Sequence, residues 1–140
     1  MLLGVTESGF EEVRHTADWA LRAEGATLEE LLLNASRGML SLLGAEPAAA
    51  RATRSTLELE AEDPESLLVA WLGELLYRME TRQVTFGEMK ITIPNGFRLV
   101  AEVQEIPLLH QARSIKAVTY HDLAVKRTPD GLTATIVFDV

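Results

Sequence analysis

Hydrophobic and polar residues alternate along much of this chain, and a period of two is typical of β-strands with one buried face. Asn95-Gly96 is a strong signal for a β-hairpin turn. Pro129-Asp130-Gly131 predicts a second turn before the last strand. Alternating or extended runs predict strands over residues 10–15, 19–24, 56–62, 89–93, 97–103, 115–125 and 132–139.

Two other stretches have the apolar spacing of an amphipathic α-helix. The first starts after Thr27, where Glu30 completes a capping box, and Gly44 provides its stop. Asp63-Pro64 opens the second, as N-cap and first-turn proline. Its buried face is predicted to contain Leu67, Leu68, Trp71, Leu72, Leu75, Leu76 and Met79. Two helices among several strands predict an α+β domain, with the helices packed on a largely antiparallel β-sheet.

Composition limits the class of protein. A chain of 140 residues with 47% hydrophobic residues is expected to form one compact domain over residues 1–140. It has no cysteine, which excludes disulfides and thiolate metal sites and suits a reducing compartment. We see neither a secretory leader nor an apolar run of about 20 residues that would cross a membrane. We therefore expect a cytoplasmic protein.

The net charge of −8 opposes direct binding to RNA phosphates, and the sequence contains no run of Lys or Arg that would form a basic binding surface. Any action on RNA is expected to proceed through a protein partner. The glycine-rich nucleotide signatures and the GxSxG nucleophile motif are absent from the sequence. An ordinary nucleotide hydrolase or serine hydrolase therefore has no support.

Three charged residues have both a structural and a functional interpretation. Asp18, in His15-Thr16-Ala17-Asp18, is either a turn residue or an oxygen ligand for a hard cation. Asp139, on the polar side of the last strand, is either a solvated acid or a second carboxylate for the same ion. Lys116 is either solvated or a contact for phosphate or a partner's carboxylate. Sequence spacing leaves these alternatives open.

Glu74 lies among the leucines of the second predicted helix. A salt bridge or a solvent-facing position explains a carboxylate there without any functional role.

Four blocks in this order resemble the archease family, and together they span nearly the whole chain. Within them, His-Thr-Ala-Asp, Lys-Ala-Val-Thr-Tyr-His and a terminal Phe-Asp-Val are the most specific parts. The blocks are HTADWALRAEGATLEELLLNASRGMLSLL, EAEDPESLLVAWLGELLY, IKAVTYHDLAV and ATIVFDV.

This resemblance implies an accessory protein, not an enzyme, that activates the RtcB-type RNA ligase of tRNA splicing and RNA repair. Archeases promote the ligase–guanylate intermediate and repeated turnover, and they contact RNA only indirectly, through the ligase. The resemblance also implies a divalent metal ion (Ca²⁺, Mg²⁺ or Mn²⁺) held by Asp18 and Asp139, with His15 and Glu74 as less direct neighbours. Lys116 becomes the candidate activating residue. We expect a monomer or a small homo-oligomer.

Two alternatives to this function remain. A metal-dependent phosphate hydrolase would use Asp18 and Asp139 without a partner, and a general chaperone or scaffold would need neither aspartate. Trp19 departs from the family pattern, because many relatives carry a smaller aliphatic residue there. This departure puts the surroundings of the metal site in doubt.

Overall fold

The computed structural model describes residues 9–14 and 19–140. Within these ranges there are two helices and nine strands. Their bounds are β1 (Phe10–Arg14), β2 (Trp19–Gly25), α1 (Leu28–Leu43), β3 (Glu46–Pro47), β4 (Thr53–Glu60), α2 (Pro64–Arg82), β5 (Val84–Asn95), β6 (Arg98–His110), β7 (Ala117–Val118), β8 (Lys126–Thr128) and β9 (Gly131–Asp139). In the described residues, neither helix combines the length and the apolar composition needed to cross a bilayer.

The strands are divided between two sheets, and each described pair is antiparallel. In sheet I, β9 pairs with β2 along one edge and with β7 and β8 along the other, while β1 pairs with β2. In sheet II, β6 pairs with β4 and β5, and its C-terminal end pairs with β3. Buried residues of both helices and both sheets form one hydrophobic cluster. The predicted α+β class is confirmed, with two antiparallel sheets where we expected one.

Helix α1 packs mainly on β2 and also contacts β5, α2, β1 and β9. Its N-cap is Thr27, as predicted, and the Thr27 hydroxyl accepts a hydrogen bond from the backbone N–H of Glu30 at 3.2 Å. The Glu30 carboxylate accepts from the N–H of Ala26, also at 3.2 Å. The first bond satisfies a donor that the first helical turn leaves unpaired, and the second fixes the residue that precedes the N-cap. At the other end, Gly44 takes the left-handed conformation with φ of 62°.

We expect Thr27→Ala to lower the free energy of unfolding by about 1 kcal/mol, because alanine cannot accept the bond from Glu30. Thr27→Ser is the matched control, since serine keeps the hydroxyl and should preserve the wild-type value. Urea denaturation followed by circular dichroism measures both variants. Equal stability of Thr27→Ala and Thr27→Ser would contradict the cap.

Helix α2 begins at the predicted position. The Asp63 carboxylate accepts a hydrogen bond from the backbone N–H of Ser66 at 2.7 Å. This backbone bond, with a further contribution from the Ser66 side chain, lowers the pKa of Asp63. On the buried face, the Trp71 indole N–H donates to the carbonyl oxygen of Leu32 at 3.1 Å and so joins α2 to α1. Helix α2 also contacts β4, β5, β6 and β7.

The predicted strand over Ile115 to Val125 is wrong for most of its length. Only Ala117–Val118 pairs with a neighbouring strand in that range. The backbone then turns, because the N–H of Leu123 bonds to the carbonyl of Tyr120 at 3.0 Å and Asp122 adopts a left-handed φ of 50°. Aspartate tolerates this conformation better than most residues, and it ends the extended run.

The predicted hairpin is present, with its turn displaced by one residue. Asn95 pairs with Arg98, so Gly96 and Phe97 form the turn in place of Asn95 and Gly96. Gly96 has a φ of 54°, which explains why glycine suits this position.

Candidate functional site

Lys116 and Asp139, two of the residues singled out in the sequence, lie next to each other at one end of sheet I. The backbone N–H of Lys116 donates to the carbonyl oxygen of Asp139 at 2.8 Å. Ala117, the next residue, is the ladder partner of Asp139. Both charged side chains belong to exposed residues. A lysine and a carboxylate thus share one solvent-accessible edge of the sheet.

Strand β2 starts beside this end of sheet I. Trp19 is paired with Phe138, the residue that precedes Asp139. Asp18 and His15 lie outside the described residues. The residue that follows Asp18 in the chain is therefore paired with the residue that precedes Asp139.

Arg113 anchors the segment that leads to Lys116. Its backbone N–H donates to the carbonyl of Leu43 at 3.1 Å, and its guanidinium donates to the carbonyl of Leu42 at 3.2 Å. The guanidinium carbon also lies 5.1 Å from the centre of the Trp19 ring. The Glu12 carboxylate is 3.9 Å from the same guanidinium, which is about half exposed. One residue therefore joins the end of α1, strands β1 and β2 of sheet I and the 111–116 segment.

A groove of about 840 Å³ separates α2 from the 111–118 segment. Lys116 and Val118 line one side, and Gly73 and Tyr77 of α2 line the other. Tyr77 is 61% exposed, although it is a large aromatic residue. Lys116 thus faces both the sheet edge and an open groove.

Glu74 belongs to a cluster of ion pairs between α2 and sheet II. Its carboxylate lies 2.9 Å from the Arg78 guanidinium, which in turn lies 3.1 Å from the Glu105 carboxylate. Arg82 approaches Glu105 to 2.8 Å, and the Ser55 hydroxyl donates to the same carboxylate. The salt-bridge interpretation of Glu74 is confirmed, while its place near a metal ion stays a prediction.

Burial opposes ionisation of Glu105 and is the largest single influence on its pKa. The Ser55 hydrogen bond and the positive charges of Arg82 and Arg78 together outweigh burial, so the pKa of Glu105 is lower than its ordinary value of 4.5. Glu105 is therefore a structural carboxylate at neutral pH, paired on β6 with two arginines of α2.

In residues 9–14 and 19–140, no group of three or more His, Cys, Asp or Glu side chains is arranged to hold a metal ion. Of the two aspartates predicted as ligands, the described ranges contain only Asp139, an exposed carboxylate at the end of β9. Mg²⁺ is often bound through one or two protein carboxylates and keeps several of its water ligands. Asp139 supplies one carboxylate of a two-carboxylate site.

The sequence pattern of the Archease protein family (MTH1598/TM1083) matches residues 10–140. The chain belongs to the archease family. The resemblance noted in the sequence is confirmed, and the matched range includes Asp18, Lys116 and Asp139.

Individual archeases are similar over nearly their whole length. The archease of Methanosarcina barkeri is 34% identical over 139 residues, which cover 94% of this chain and 95% of the relative. The archease of Thermococcus kodakarensis is 35% identical over 133 residues, which cover 87% of this chain and 91% of the relative. The family match over residues 10–140 reaches both ends of the described fold.

Solved archease structures share this fold. The crystal structure of the Thermotoga maritima archease, described as a possible chaperone, gives a TM-score of 0.70 at 26% identity, covering 91% of this chain and 94% of that one. The solution structure of Methanobacterium thermoautotrophicum protein 1598 gives a TM-score of 0.68 at 27% identity, covering 95% of this chain and 99% of that one.

Sequence analysis of this archease missed the roles of Arg113 and Glu105. A signal for Glu105 was available, because the alternation that turns Leu99, Ala101 and Val103 inward turns Glu105 inward as well. For Arg113 we find no local signal, since its contacts are made with residues distant in the chain.

Proposed function

We propose that this archease activates an RtcB-type RNA ligase in tRNA splicing or RNA repair, by promoting guanylylation of the ligase and its repeated turnover. The observation that carries the proposal is the bond between the Lys116 N–H and the Asp139 carbonyl. It places a cation and a carboxylate, each matching a motif of the archease resemblance, on one exposed edge. We propose the RtcB-type ligase as the partner because the resemblance to archeases implies it.

In this proposal Asp18 and Asp139 hold a divalent ion, which is Mg²⁺, Mn²⁺ or Ca²⁺. The pairing of Trp19 with Phe138 supports this, because Asp18 directly precedes Trp19 in the sequence and Asp139 directly follows Phe138. When bound, such an ion offsets the charge that develops during phosphoryl transfer.

The Lys116 amine is proposed to contact a phosphate or an acidic group of the ligase. Lysine is a compact point charge on a flexible stem, so an exposed position at an edge suits contact with a docked partner. The net charge of −8 supports a model in which the ligase alone binds RNA, because an acidic protein repels the RNA phosphates.

The test measures guanylylation of the ligase with GTP and limiting Mn²⁺ or Mg²⁺, in the presence of substoichiometric archease. The wild-type protein should accelerate the reaction. Lys116→Ala and Asp139→Ala should each reduce that acceleration about tenfold, the effect of losing one contact between charged groups. Asp18→Ala should behave like Asp139→Ala, because one ion needs both carboxylates.

Lys90→Ala and Asp130→Asn are the matched controls. Both residues are exposed and lie in other parts of the fold, on β5 and in the turn before β9. These variants should activate like the wild type. Absence of acceleration by the wild-type protein would refute ligase activation. Release of phosphate without the ligase would favour the hydrolase, and full activity of all three site variants would favour a general chaperone.

A further inference from the structure

The candidate site belongs to a closed circuit of contacts within the described residues. Trp19 pairs with Phe138, whose neighbour Asp139 accepts a hydrogen bond from Lys116. Three residues before Lys116, the guanidinium of Arg113 lies over the Trp19 ring at 5.1 Å and so closes the circuit. Between Arg113 and Lys116 the chain has no regular secondary structure. Its geometry therefore depends on how its two ends are held.

We propose that Arg113 is a positioning residue, which fixes Lys116 relative to the end of β9 by clamping the 113–116 segment onto Trp19 and the C-terminal end of α1. The inference rests on the proposed function, because it assigns Arg113 a role through Lys116. It goes beyond that function by naming a residue that acts without touching the ligase or its substrates.

Arginine suits this role for a physical reason. Its planar guanidinium can lie over an aromatic face while its N–H groups, which lie in the guanidinium plane, still reach acceptors beyond the edge of the ring. Here the N–H groups reach the Leu42 carbonyl at 3.2 Å, where unpaired carbonyls at a helix end attract cations. Glu12, at 3.9 Å, adds a nearby opposite charge. The tryptophan at position 19, where many relatives carry a smaller aliphatic residue, thus makes a contact that an aliphatic side chain could not make, because the indole ring offers a π face to Arg113.

Without the Arg113 side chain, the 113–116 segment keeps its backbone bonds to Leu43 at one end and to Asp139 at the other, but it loses the contacts with the Trp19 ring and the Leu42 carbonyl. The 113–116 segment then samples several conformations, and Lys116 is correctly placed for a smaller fraction of the time. Such a loss lowers the maximal acceleration, whereas the archease concentration that gives half of the effect should change little.

The experiment compares the guanylylation of the ligase by wild-type archease, Arg113→Ala and Trp19→Leu over a range of archease concentrations. We expect the maximal acceleration to fall by about three- to tenfold in both variants, as for the loss of one cation–π contact and one charged hydrogen bond. Arg113→Lys and Trp19→Phe should recover part of the loss, because each keeps a cation or a ring. Arg51→Ala removes the same charge from an exposed loop and should match the wild type.

A double mutant separates positioning from a general structural effect. If Arg113 acts through Lys116, Arg113→Ala adds no further loss in a Lys116→Ala background. Acrylamide quenching of tryptophan fluorescence reports the contact directly, because Trp71 is fully buried and the quenched signal comes from Trp19. Quenching should increase in Arg113→Ala, while the far-ultraviolet circular dichroism spectrum stays that of the wild type.

Two results would overturn the positioning role while the proposed function stands. One is full acceleration by Arg113→Ala, and the other is an additional loss caused by Arg113→Ala on top of Lys116→Ala. A wild-type protein that fails to accelerate guanylylation would overturn the proposed function itself, and the positioning role with it.

Discussion

Replacement of Trp71 by alanine is expected to lower the free energy of unfolding by about 3–5 kcal/mol. Among the described residues, Trp71 is the largest fully buried side chain, and it belongs to a hydrophobic cluster formed by both helices and both sheets. Alanine would leave a cavity that a close-packed core refills only in part. It would also remove the indole N–H that donates to the Leu32 carbonyl. Urea unfolding followed by circular dichroism measures the loss.

Two variants separate the contributions to this loss. Trp71→Phe keeps an aromatic ring in the core but removes the bond to Leu32, and we expect it to cost about 1–2 kcal/mol. Tyr77→Ala removes an aromatic side chain from the same helix at a position that is 61% exposed, and should change stability by less than about 0.5 kcal/mol. A Trp71→Ala protein as stable as Tyr77→Ala would contradict the central place of Trp71 in the core.

The helices were predictable from the sequence because their signals are local. Thr27 and Asp63 each cap a helix by accepting a hydrogen bond from the backbone N–H three residues later in the chain. The strand alternation similarly reports which side of β6 faces the core. A residue such as Asp122, with a left-handed backbone, ends an extended run without a distinctive pattern, so the strand predicted up to Val125 was too long.

The division into two sheets was not predictable by the same means. Which strands pair depends on contacts between distant parts of the chain, such as β2 with β9, and periodicity does not identify partners. For the same reason the sequence could select Lys116 and Asp139 only through the family resemblance. Their adjacency emerges from the pairing of β7 with β9, and the contact of Arg113 with Trp19 emerges from the fold as a whole.

Removal of Glu105 is expected to lower the free energy of unfolding by about 3 kcal/mol at pH 7, the lower end for breaking a buried ion pair. The Glu105 side chain is 5% exposed, and Arg78 is 9% exposed. Among the described residues, Glu105→Ala would leave the buried Arg78 with Glu74 as its one charged partner. Arg82 would retain access to water because it is 47% exposed. Glu105→Ala therefore leaves one poorly compensated charge in the interior.

Glu58→Ala is the matched control for Glu105→Ala. Glu58 is 60% exposed and lies 3.5 Å from Arg98, which is also partly exposed. Pairs of this kind contribute at most about 1 kcal/mol. Equal losses in the two variants would contradict the special status of the buried cluster.

The pH dependence of stability gives an independent check on Glu105. Because the folded pKa of Glu105 is lower than its ordinary value of 4.5, ionisation of this carboxyl stabilises the folded protein above about pH 4.5. That contribution is lost as the pH falls through the folded pKa, where the carboxyl becomes neutral. Glutamine is neutral at every pH, so the stability difference between the wild type and Glu105→Gln should shrink from pH 7 to pH 3. A difference that stays constant over this range, measured by urea unfolding, would show that the charge of Glu105 does not stabilise the pairing of α2 with sheet II.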